Sequence, residues 1–186
     1  MTKNLGTTKL AKDGSRSGVR IGGYFTAECY DKNGNLKWTD KFHNLVTNEG
    51  LDGLLDIMFH ASTQITTWYC TLVESDTNAA AGMTYAVPTY TESTAYDEAT
   101  RPEYEEAASS SQSITNSANK ATFTISGTKT MYGASIVGGG TSATTKGNTD
   151  GGGTLFCYAK FSSSKSVVDD DVINLTYTLG AADDAA

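Results

Sequence analysis

The chain has 186 residues, of which 38% are hydrophobic and only 19% charged, with a net charge of −7 and an isoelectric point near 4.7. That length supports one domain with a real core, or at most two small ones. The acidic balance, unrelieved by any basic cluster, argues against nucleic acid or an anionic membrane surface as partner.

No stretch approaches the roughly 18 apolar residues of a membrane span. The opening residues lack an apolar core, so no secretory leader is expected. The charge that is missing is replaced by Thr, Ser, Gly and Asn, residues of turns and exposed strands. Cys29, Cys70 and Cys157 are too few and too scattered for a disulfide framework. Each sits among apolar or aromatic residues, where a free thiol behaves as a small buried hydrophobe, and a reducing cytoplasm is the expected site of synthesis.

Residues 1–18 are polar and aperiodic and read as a flexible N-terminal arm. From Val19 to Tyr30 apolar and polar residues alternate as in a half-buried strand. Asn33-Gly34 then marks a hairpin turn, and Leu36, Trp38 and Phe42 share one side of the return strand. The next segment changes period. Leu51, Leu54, Leu55, Met58 and Phe59 fall at i, i+3, i+4, i+7 and i+8, which predicts one amphipathic helix over about 48–60, capped by Thr47 or Asn48. So short a helix needs packing, so these five residues are expected to form its structural face, with Leu54 and Leu55 buried.

Residues 65–74 return to β-branched and aromatic types, with Trp68 and Tyr69 on opposite faces of one strand. Residues 75–120 read as a long surface loop with one short strand near Tyr104. Strand character resumes in ATFTIS, KTMYGASIV, TLFCYAKF and VINLTYTL, and residues 181–186 form a short acidic tail. The expected architecture is one mainly β domain over residues 19–180. It is an antiparallel β-sandwich or jelly roll with the helix packed on it, covering a sheet edge or an open end.

Chemistry-bearing patterns are sparse. His43 and His60 flank the helix, too far apart for a local metal pair, and read as boundary residues. Neither a nucleophile elbow, a phosphate-binding Gly-rich loop nor a His-Glu-x-x-His motif occurs in the sequence. Asp97, Glu98, Glu103, Glu105 and Glu106 crowd a Tyr-containing stretch, as in a glycosidase or a sugar-binding surface, but an ordinary acidic loop has the same composition. Asp169-Asp170-Asp171 reads as a turn before the last strand rather than a calcium loop. No catalytic, metal or cofactor residue is assigned, and no cofactor is expected.

The ordered series NLVTNEGLDGLLD (44–56), QITTWYCTL (64–72), TAYDEATRPEY (94–104), ATFT with MYGAS (121–135) and VINLTYTL (172–179) resembles a family of small structural proteins encoded beside the virion genes of tailed bacteriophages. The resemblance implies a non-enzymatic virion component, a capsid decoration (cement) protein. Its partners would be the major capsid protein, or other virion proteins, and copies of itself at symmetry-related sites. Tyr96, Arg101 and Tyr104 are then the candidate contacts, because Tyr and Arg concentrate at interface cores; the same residues could instead tie the loop to its own domain. The alternative is a receptor- or glycan-binding module of a tail or head fibre, using the acidic aromatic loop to stack sugars.

Overall fold

The computed structural model describes residues 18–183. The expected arm therefore lies outside the described residues except for Gly18, as do the last three residues of the tail. Among the described residues the elements are β1 (Val19–Tyr30), β2 (Leu36–His43), β3 (Leu45–Val46), α1 (Asn48–Phe59), β4 (Trp68–Val73), β5 (Ser113–Thr115), β6 (Ala121–Thr124), β7 (Lys129–Gly138), β8 (Thr154–Val167) and β9 (Val172–Asp183).

The strands form two antiparallel sheets. One runs β2-β1-β9-β5 with β6 also on β9, and the other runs β3-β8-β7-β4. The first hairpin forms as its turn residues dictate. Gly34 takes a positive φ of 83°, and the Asp31 carboxylate accepts the backbone N–H groups of Asn33 at 2.8 Å and Asn35 at 2.9 Å. Residues 181–183 are no tail: Ala181, Ala182 and Asp183 pair with Ile21, Arg20 and Val19. Sequence composition pointed to a tail because exposed Ala and Asp carry no strand pattern; the partner strand supplies the hydrogen bonds.

Alternation along the strands puts one apolar set between the sheets. Phe25, Ala27, Cys29, Phe123, Ile173, Leu175 and Tyr177 from one sheet share a buried cluster with Cys70, Leu72, Met131, Ile136, Cys157 and Phe161 from the other. Phe42 meets Phe161 edge-on at 4.7 Å across the two sheets. Asp40 of β2 reaches across as well, accepting the Ser162 N–H at 3.0 Å and its hydroxyl at 2.8 Å.

A second cluster lies on the opposite face of the β4–β7–β8 sheet. Here Val73, Val137, Leu155 and Tyr158 pack against Met83, Tyr85 and Tyr90 of the long connection. Trp68 packs on the first cluster and Tyr69 on the second, so both faces of β4 are covered. The segment expected to be a surface excursion is thus a lid with its own core. Its short strand is β5; around Tyr104 the pairing with β4 is a single bridge, Glu103 with Tyr69, closed by the Tyr104 N–H on the Trp68 carbonyl and the Cys70 N–H on the Pro102 carbonyl.

Candidate functional site

Tyr96, Arg101 and Tyr104, the candidate partner contacts, are 2%, 2% and 6% exposed. They hold the lid to its own domain. All five N–H groups of Arg101 are used. Nε and Nη2 grip the Glu92 carboxylate at 2.8 and 2.6 Å, and Nη2 also donates to the Asn148 carbonyl at 2.8 Å. Nη1 donates to the Ala143 carbonyl at 2.8 Å and the Tyr85 hydroxyl at 3.1 Å. Burial works against the guanidinium's charge, but Glu92 more than compensates and holds its pKa above the ordinary arginine value.

Tyr96 packs edge-on against Phe123 at 5.1 Å, and burial raises the pKa of its phenol. Lys146 donates to the Tyr96 and Glu98 carbonyls at 2.7 and 2.8 Å. Tyr104 donates its N–H to the Trp68 carbonyl at 2.8 Å and its hydroxyl to the Tyr177 carbonyl at 3.3 Å. These residues therefore offer no surface to a partner or a sugar, which also removes the stacking tyrosines that a glycan-binding reading needs. Of the nearby carboxylates, Glu98 accepts the Thr124 N–H at 3.0 Å, while Asp97, Glu103, Glu105 and Glu106 are exposed. No group of metal-ligating side chains occurs among the described residues. Asp171, from the triple-Asp turn, is buried against Lys37.

The surface that stands out is at α1. Thr47 is the N-cap, accepting the Gly50 N–H at 3.0 Å; its own N–H donates to the Phe156 carbonyl at 3.0 Å and its hydroxyl to the Leu155 carbonyl. Glu49 accepts the N–H groups of Leu155 at 2.6 Å and Tyr85 at 2.8 Å. These bonds fix the helix rotation. Gly50 is the only buried helix residue, and a Cβ there would lie 2.5 Å from the Phe156 carbonyl oxygen. The inward face is therefore Gly50, Gly53, Leu54 and Ile57, and not the stripe read from the sequence. Leu54 is half-buried as part of the core rim. Leu51, Leu55, Met58 and Phe59 are 38%, 53%, 65% and 80% exposed, which corrects the expectation that they pack on the sheets. The larger side chains face out because the helix seats through Gly50, where its backbone approaches that of Phe156.

Beside the helix an apolar cleft of about 280 Å³ opens between the two sheets, lined by Leu54, Ile57, Trp68, Phe156 and Leu179 among others. The helix walls this end of the core and leaves it open, rather than closing it as a cover. Sequence reasoning missed the cleft and the inward face. The usable signal was Gly50, Gly53, Leu54 and Ile57 at i, i+3, i+4 and i+7, a helical stripe with small residues at its start. His43 and His60 are exposed at element ends, with His60 as the helix C-cap.

Neither a family model nor a curated protein matches the chain.

Proposed function

We propose that the chain is a non-enzymatic structural protein of a bacteriophage virion, a decoration protein that binds the major capsid protein. The observation that carries this reading is the outward apolar face of α1. Leu55, Met58 and Phe59 stand more than half exposed on a helix bolted rigidly to β8 through Thr47 and Glu49. A rigid exposed apolar face is the physical character of a docking surface. The ordered sequence resemblance between residues 44 and 179 adds the virion context. In the same reading the two sheets form a β-sandwich, supported by the cluster they share and the aromatic and Asp40–Ser162 contacts across it.

Quantifying the protein against the capsid protein in purified particles tests the assignment. A copy number comparable to that of the capsid protein is expected. A small fixed number, as for a tail or fibre component, or absence from the particle, would overturn it.

A further inference from the structure

Successive residues turn by about 100° around a helix. That rotation arranges α1 in three adjoining zones. Gly50, Gly53, Leu54 and Ile57 face the sheets and the cleft, and Met58, which also lines the cleft, begins the next zone. Leu51, Leu55 and Phe59 follow it round the helix, and Asp52 and Asp56 come after them. The exposed apolar zone is therefore continuous with the cleft on one side and bordered by two carboxylates on the other.

Off the helix, the cleft lining includes a further carboxylate, Glu106 of the long connection between β4 and β5. Neither Lys nor Arg is among the cleft-lining residues. Asp52, Asp56 and Glu106 are exposed and form no ion pair among the described residues, whereas Glu28, Asp40, Glu74, Asp76, Glu92 and Asp171 all do. The net charge of −7 leaves the protein with no excess of base to offset them.

We propose that this strip binds a segment of a partner protein that inserts an apolar side chain into the cleft and carries basic residues on both flanks. The apolar floor supplies the attraction, and the acidic borders set the charge and direction of the segment. An acidic segment would meet like charge at both edges, and an uncharged polar one would leave the cleft walls in water. The proposal deepens the docking role given to this face and rests on it, but the two are tested separately: the virion assignment by copy number in particles, and this one by the charge preference of the purified chain.

The test is calorimetric titration of that chain with three synthetic peptides of equal length: leucine–lysine, leucine–glutamate and serine–lysine. Binding is expected for leucine–lysine alone, with a change in the emission of Trp68 in the cleft wall and weakening as salt rises to roughly 0.5 M. Met58→Ser with Phe59→Ser, both at exposed positions, is expected to weaken it about tenfold or more. Glu106→Lys with Asp56→Lys is expected to shift preference toward leucine–glutamate. Equal binding of the two leucine peptides, or binding that survives Met58→Ser with Phe59→Ser, would overturn the proposal. So would concentration-dependent dimers of the chain that these substitutions abolish, since the occupant would then be a second copy.

Discussion

Two glycines three residues apart in α1 should respond to alanine with opposite signs. Alanine is favoured over glycine in a helix interior by up to about 1 kcal/mol, so propensity alone stabilises both variants. At Gly53 little opposes that gain: the nearest atom to a new Cβ is Thr154 Cγ2 at 3.8 Å, an ordinary contact. Gly53→Ala is therefore expected to stabilise by about 0.5–1 kcal/mol.

At Gly50 the new Cβ would sit 2.5 Å from the Phe156 carbonyl oxygen and 2.9 Å from its Cα. These are backbone atoms of a paired strand and cannot rotate away, so the helix must lift. Lifting strains the Thr47 bonds to the same strand, including the 3.0 Å bond to that carbonyl. Overpacking of this kind costs about 1–3 kcal/mol, and a weakened cap adds about 1 kcal/mol. Together they outweigh the propensity gain, so Gly50→Ala is expected to lose about 1–3 kcal/mol. Urea unfolding followed by far-ultraviolet circular dichroism measures both. If Gly50→Ala proves as stabilising as Gly53→Ala, the helix is not seated through Gly50 and the derived exposure of Leu55 and Phe59 loses its cause.

Arg101→Met should destabilise by about 3–5 kcal/mol in the same assay, because it leaves the Glu92 carboxylate, largely withdrawn from water, without its partner; a loss below 1 kcal/mol, of the size expected for an exposed pair, would contradict the clamp. Leu55→Ser and Phe59→Ser should change stability by no more than about 0.5 kcal/mol, whereas Leu54→Ala, at the core rim, should cost about 1–2 kcal/mol, less than a fully buried leucine; equal costs at the three positions would refute the helix rotation. Burial raises the pKa of the Cys29 and Cys157 thiols and the Tyr158 phenol to about 12. The unfolded chain releases those protons from about pH 8.5 for Cys and about 10 for Tyr. The contribution is therefore fully present below about pH 8.5 and is lost as pH rises toward 12. The urea midpoint should fall across that window, and a flat profile would count against the burial. All three thiols should likewise resist alkylation at neutral pH in the native chain and react once it is unfolded.

Local pattern determined much of this protein. Alternation over residues 19–30 and 172–179, the Asn33-Gly34 turn and the single change of period after Asn44 mark the strands, the first hairpin and the helix. These are properties of one chain segment and its nearest neighbours, so they are written in consecutive residues. The face of the helix that turns inward was not, because two stripes were available. The larger leucines form one and the glycines with Leu54 and Ile57 the other. Which stripe packs depends on how closely β8 approaches, and only the bonds of Thr47 and Glu49 to that strand, with the close approach of Gly50 to it, decide the matter across more than a hundred positions.

The fates of Tyr96, Arg101 and Tyr104 were likewise tertiary. An arginine between tyrosines suits an interface with another protein as well as one within the chain, and of its partners Glu92 lies on its own connection while Ala143 and Asn148 lie on the distant one between β7 and β8. Ala181 to Asp183 became strand only because Val19 to Ile21 lie beside them. Composition reports the chain's average preference for water or for contact; the cleft and its acidic borders exist only where distant segments meet.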